Sequence, residues 1–328
     1  MFSLRNLSFY SLVLVLLVVV AGSTVRTTGS GMGCPDWPKC FGHLIPPTST
    51  DQVLWAPGTE FEQGTMAIYQ DTLWINQIPG PCDTRFNRSR WEAYLVHDYS
   101  TFVVAHTWIE YINRLAGALS GIPALLLLFL AFLKRKTQPS IFWISLLGLI
   151  GLGFEAWLGK KVVDGNLIPG QISIHMLGAL FICGLYTHAY AKTGYTKRLK
   201  LPAIYLWFWL TLLVLQLILG IQVREGVDHL MHLSGNATSD AIHQLRYFNF
   251  HRSLIWVWLA SLIFAWIKLG KKGKPVVARI AAWFILQAGL GLSISLLGLP
   301  HFLQVGHLFL SFILFCYLIY QLSKRVVA

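Results

Sequence analysis

Asn113, His175, His251 and His307 lie near one membrane face of four apolar segments, and they sort into two similar halves. Asn113-Arg114 in one segment is echoed by His251-Arg252 in another. His175 follows Glu155 by twenty residues and Gly159 by sixteen; His307 follows Gln287 and Gly291 at the same spacings. A polar or ionisable side chain inside a membrane segment is costly and marks a functional site by default. Imidazoles on facing helices of a bundle are what axial ligation of heme iron requires. His251 and His307 form the cleaner pair, and two trans imidazoles give a center suited to electron transfer. Arg252 places a guanidinium fork where it can pair with a heme propionate. The plain alternative for both histidines is a hydrogen bond across the bundle.

The first half is less regular. His175 matches His307, but Asn113 stands where the partner histidine is expected, and asparagine is a poor iron ligand. His106 lies two helical turns earlier on nearly the same face, with Glu110 between, so His106, Glu110 and Asn113 form one polar stripe. His106 is therefore the expected substitute ligand. Phe248 occupies the position equivalent to Glu110 in the second half, so the carboxylate is one-sided. In a low-dielectric site it can accept a proton or stabilise a developing cation. The plain alternative is an i,i+4 ion pair with Arg114.

These residues must be positioned by membrane helices. Of the 328 residues, 55% are hydrophobic and 12% charged, and the mean hydropathy is +0.57. Eight apolar runs have bilayer-spanning length, at about 7–25, 101–133, 141–160, 171–191, 203–223, 247–268, 278–298 and 302–322. Cation-rich short connections at Lys134–Lys136, Lys192–Lys200, Lys268–Arg279 and Lys324-Arg325 alternate with poorer ones, which puts both termini in the cytoplasm. The net charge of +12 thus reports topology and lipid contact, not nucleic acid. Arg5, the apolar run and Ala21-Gly22-Ser23 also fit a cleaved leader. Against that, Gly22-Ser-Thr-Val25-Arg26 recurs as Gly220-Ile-Gln-Val223-Arg224, which favours a retained helix.

The repeat sets the architecture. Arg26 matches Arg224 at an offset of 198, Asn113 matches His251 at 138, and His175 matches His307 at 132. The drop after the first match leaves roughly 60 extra residues between spans one and two. The expected fold is an all-α integral membrane protein, with eight helices forming two pseudo-symmetric four-helix bundles. The N-terminal half, 1–200, carries a long outer loop at 26–100, expected to have local structure without being a domain. The C-terminal half is 201–328. Spans two, four, six and eight all run inward, which brings the histidines to one depth in the outer leaflet. Arg26 and Arg224 are placed to anchor propionates or headgroups. His43, His97, His229, His232, His243 and His301 belong to outer loops, and His188 to the cytoplasmic end of span four.

Cys34, Cys40 and Cys82 fall in the outer loop, while Cys183 and Cys316 fall inside spans as small packing residues. Five residues separate Cys34 from Cys40, which suits a disulfide in an oxidising compartment; free thiols remain the alternative, and no CxxC spacing supports a metal.

The segment from Val25 to Gly42, with Gly-Met-Gly-Cys34-Pro-Asp-Trp-Pro-Lys-Cys40, resembles the loop after the first span of bacterial heme A synthases. Glu110-Tyr-Ile-Asn113-Arg114, Gly220 to Asp228 and His251-Arg252-Ser resemble further signatures of that family, over nearly the whole chain outside the long loop. The resemblance implies oxidation of the heme O methyl group to the formyl group of heme A for cytochrome oxidase assembly. It implies heme b on His251 and His307, with Arg252 and Arg114 cofactor-binding. It further implies substrate heme on His175, catalysis by Glu110, and pairing of Cys34 with Cys40. Asn113 departs from the family's Glu-x-x-His pattern, and the extended loop is a second departure. The implied setting is the bacterial plasma membrane. Implied partners are heme O synthase, cytochrome oxidase assembly factors, lipid and a second copy of the chain.

Two other classes fit part of the pattern. A two-heme membrane electron-transfer cytochrome explains the histidines but not the one-sided Glu110. A heme carrier or exporter calls for exposed outer tryptophans, and the loop holds Trp37, Trp55, Trp74 and Trp91.

Overall fold

The computed structural model describes residues 3–95, 101–164, 170–194, 201–234, 239–271 and 273–326; His97 lies outside these. Nine helices are present among the described residues, in the order α1 (Leu4–Thr27), α2 (Val104–Leu133), α3 (Pro139–Asp164), α4 (Gln171–Lys192), α5 (Ala203–Ser234), α6 (Ser239–Gln244), α7 (Arg246–Lys268), α8 (Lys274–Leu296) and α9 (His301–Val326). All but α6 are long and apolar enough to cross a bilayer. The polytopic all-α expectation is therefore met.

Within the membrane the chain must satisfy its own polar groups. Ser8 and Ser145 do so by donating to the carbonyls of Leu4 and Ile141, each at 2.7 Å. Small residues let the helices approach: a Cβ at Gly148 or Gly151 of α3 would run into Tyr186 or Ile182 of α4. In the first half α1 packs on α2 and α4, and α3 on α2 and α4; in the second, α5 packs on α7 and α9, and α8 on α7 and α9. The halves meet where α1 and α4 pack on α9. Leu7, Val15 and Val19 of α1 are buried in the same apolar core as Leu180, Trp209, Trp258 and Phe312. The first helix is thus an integral part of that core.

One boundary differs from its expectation. Helix α5 continues well past residue 223 to Ser234, and Arg224 and Asp228 form an i,i+4 ion pair at 2.6 Å along this stretch. Asp228 also takes Arg26 at 3.0 Å, and Arg224 donates to Gln304 at 2.6 Å. The repeat-matched arginines of α1 and α5 therefore share one carboxylate at the end of the bundle from which the segment between α1 and α2 emerges. They tie α1, α5 and α9 together there.

The outer segment after α1 carries local structure of its own. Strands β1 (Glu60–Phe61) and β4 (Gly80–Pro81) pair, as do β2 (Met66–Tyr69), β3 (Thr72–Asn76) and β5 (Trp91–Ala93) in the order β2-β3-β5. Gln70 and Asp71 join β2 to β3 with φ of 48° and 54°, the left-handed pair that a tight hairpin needs. Beneath it, Trp91 is buried, and Trp55, Trp74 and Phe86 pack around it. Three of the loop's tryptophans therefore serve packing, leaving Trp37 exposed. That arrangement does not match the exposed aromatic surface expected of a carrier.

Candidate functional site

Each repeat-matched histidine rests in a cradle built by the neighbouring helix. On α5, Gln216 and Gly220 lie one turn apart: the Nδ1 of His251 is 3.1 Å from the Gln216 carbonyl, and the Gln216 amide donates to the His251 carbonyl at 2.8 Å. A Cβ on Gly220 would sit 3.2 Å from His251 Cε1. On α8, Gln287 and Gly291 repeat this around His307 of α9, with 3.1 Å to Nδ1, 2.8 Å for the amide bond and 3.1 Å for the hypothetical Cβ. With Nδ1–H donated to a carbonyl, the ring is held in the tautomer that leaves Nε2 with a lone pair.

The two rings lie with centroids 6.2 Å apart, edge toward face at 69°. One metal between two imidazole nitrogens, with bonds of about 2 Å and about 1 Å from each nitrogen to its ring center, spans roughly 6 Å. The pair therefore fits axial ligation of one heme iron. Among the described residues no cluster of three or more His, Cys, Asp or Glu is placed to hold a metal ion. Arg252, one residue on, is exposed and held by Asn249 and over the Phe248 ring.

The first half uses the same scaffold with different chemistry. Glu155 and Gly159 of α3 take the places of the glutamine and glycine, and the Glu155 Oε2 lies 2.5 Å from His175 Nδ1 of α4. The α1 cradle has no glutamine: Val18 and Gly22 stand there. Gly22 faces Asn113, whose Oδ1 is 3.5 Å from the position a Cβ would take and has no hydrogen-bond partner. Asn113 thus sits where the matching imidazole sits in the second half. His106 is two turns further out on α2, about 10 Å along the axis, where its carbonyl packs on Gly33.

Glu110 is buried on α2 and joins that helix to the cysteine loop. It accepts the Cys34 backbone N–H at 2.8 Å and pairs with Arg114. Arg114 also donates to the carbonyls of Asp36 at 2.6 Å and Lys39 at 2.9 Å, so its guanidinium is engaged by the loop. The repeat-equivalent contact is Arg252 over Phe248, a cation–π pair at 5.6 Å. Cys34 and Cys40 form a disulfide and Cys82 is a buried free thiol. Burial raises the Asp36 carboxyl above the usual range, although the Gly42 N–H donates to it at 2.9 Å. Thr107 donates to the Gly33 carbonyl at 2.8 Å, and a side chain at Gly33 would collide with the α2 backbone. This explains the glycine at 33: the loop must lie directly on α2 there.

The cradles are not legible from residue type alone: Gln216, Glu155 and Gln287 look like ordinary polar helix residues, and their only sequence signal is the recurrence of Gln/Glu-x-x-x-Gly.

The comparisons with known proteins agree. A family model described as cytochrome oxidase assembly protein (COX15-CtaA) matches residues 5–70 and 94–319. A heme A synthase of Nitrosomonas eutropha is 25% identical over 332 residues, covering 90% of this chain and 85% of that protein. One of Bacillus licheniformis is 23% identical over 295 residues, covering 87% and 89%. One of Shewanella oneidensis is 27% identical over 184 residues; that match spans 56% of this chain and only 43% of the relative's length. No solved structure matches. The family match leaves out residues 71–93, where the extended outer segment lies, and takes in the four cradles with all their histidines, so this multi-pass membrane protein belongs to the COX15-CtaA family of cytochrome oxidase assembly proteins.

Proposed function

We propose that this chain is a heme A synthase, an oxidoreductase that converts the methyl group of heme O to the formyl group of heme A. The observation that carries the reading is the pair of neighbouring imidazoles, His251 and His307, spaced for one iron, beside a first half built differently around His175 and Glu110. His251 and His307 hold a resident heme b, and Arg252 pairs with a propionate. That heme supplies one-electron transfer when bound. His175 holds the iron of the substrate heme. His106 is the candidate for the opposite face, reaching it only if that iron sits outward of its second-half counterpart.

Forming a formyl group requires successive oxidations at one carbon, so the substrate must stay oriented between steps. A single histidine in a fixed cradle provides that hold. Protons released from the carbon need an acceptor, and Glu110 is a buried carboxylate of this half, kept in place by Cys34 N–H and Arg114. The site belongs to the outer face of a bacterial plasma membrane, with both termini cytoplasmic. Heme O synthase and cytochrome oxidase assembly factors are the partners, and the chain self-associates.

Co-expression with a heme O source, followed by extraction and mass analysis of the hemes, tests the activity. Heme A must appear. Recovery of heme B and heme O alone would instead support a two-heme electron-transfer cytochrome.

A further inference from the structure

In the three cradles that hold a histidine, the residue one turn before the glycine is Gln216, Gln287 or Glu155. In the glutamine cradles the ring Nδ1 meets a backbone carbonyl, and the side-chain amide is spent on the histidine's own carbonyl. In the third the side-chain carboxylate itself meets the ring, at 2.5 Å. The contact falls outside hydrogen-bond alignment, and neither His175 Nδ1 nor Glu155 Oε1 has a hydrogen-bond partner. The space for this carboxylate is built in. Its Oε1 occupies the position a Cβ would take on Gly178 of α4, one turn past His175. The residue matching Gly178 in the second half is Leu310, beside a cradle that holds no carboxylate.

A mostly buried carboxylate in a membrane helix is costly, and glutamine would fill the same volume without charge. A carboxylate on the distal nitrogen of a ligating imidazole fixes its orientation and raises its donor strength. We infer that Glu155 is a positioning residue that aims His175 Nε2 at the substrate iron and makes His175 a stronger donor than His251 or His307. The two iron sites are thereby electronically unequal. Stronger donation would stabilise the oxidised state of an iron held by His175, so Glu155 would set the first-half potential lower than a neutral residue in its place would. This rests on the assignment of His175 as the substrate-heme ligand.

Spectroelectrochemical titration of the full-length protein, purified after co-expression with a heme O source, resolves the two hemes. His175→Ala identifies the first-half wave by its loss. Glu155→Gln keeps the shape and heme stoichiometry, shifts that wave to higher potential and leaves the other unmoved. Glu155→Asp keeps the wild-type direction. An unmoved first-half wave in Glu155→Gln with heme retained overturns the inference. If Glu155→Gln loses the first-half heme, binding in Glu155→Asp supports the need for a carboxylate, and loss there also overturns it. If His175→Ala removes no wave, the ligand assignment fails instead, whatever Glu155 does.

Discussion

Three substitutions separate the roles of the polar groups in the two halves. His307→Ala removes one of two neighbouring imidazoles, so the low-spin absorption of the resident heme should be lost while the first-half heme stays. Glu110→Gln should leave both hemes bound and lower heme A formation by roughly 10²–10⁴-fold, the usual contribution of a positioned acid–base group. Turnover of whole-cell heme A content against heme content distinguishes the two effects. A Glu110→Gln protein with normal heme A yield would remove the carboxylate from the mechanism. His106→Ala should abolish first-half heme binding if that imidazole takes the second face; unchanged spectra and activity assign the face opposite His175 to no histidine of α2.

Elements set the distance between these groups. The helix pairs approach through Gly220 and Gly291, each with a histidine ring edge just over 3 Å from where a Cβ would stand. Gly291→Val should therefore push His307 off its carbonyl partner and lower resident heme occupancy several-fold, more than the same change at Gly289, where a Cβ meets nothing. Heme-to-protein ratio after purification reads the difference. The cysteine loop is positioned by Gly33 lying on α2 and by a disulfide closing a short ring. Cys34→Ser/Cys40→Ser should destabilise the outer segment by about 2 kcal/mol, the entropy of so small a loop. It should also loosen the Cys34 N–H bond to Glu110. Limited proteolysis of the outer segment should then become faster with the helical bundle intact.

Across the whole molecule, Arg26 and Arg224 from repeat-equivalent helices converge on Asp228 at the end from which the segment between α1 and α2 emerges. Asp228→Asn leaves two partly buried cations facing each other. The carboxylate is about a third exposed, so solvent screening holds the loss to about 1 kcal/mol. Heme release on heating, followed by absorption, should begin a few degrees lower than in the wild type. Arg26→Gln with Asp228→Asn should recover part of that loss, because the repulsion goes with the charge.

Much of this protein follows from sequence. Eight apolar runs of bilayer length become helices because the membrane leaves the backbone no other way to satisfy its hydrogen bonds, and the spacings of Glu110-Arg114 and of Cys34 and Cys40 allow pairs that the fold then forms. The offset matches also set Asn113, His175, His251 and His307 in equivalent places. Other features needed the fold. That His251 and His307 lie at metal-spanning distance depends on α5, α7, α8 and α9 packing around them. That Arg114 is turned to the loop, and that Arg224 shares Asp228 with Arg26 from the other half, depends on contacts between residues far apart in the chain. Glu155 is the clearest instance. In sequence it marks a register; only the close approach of α4 through Gly178 brings its carboxylate onto His175, because helix periodicity orders residues on one rod but cannot say which rod lies alongside.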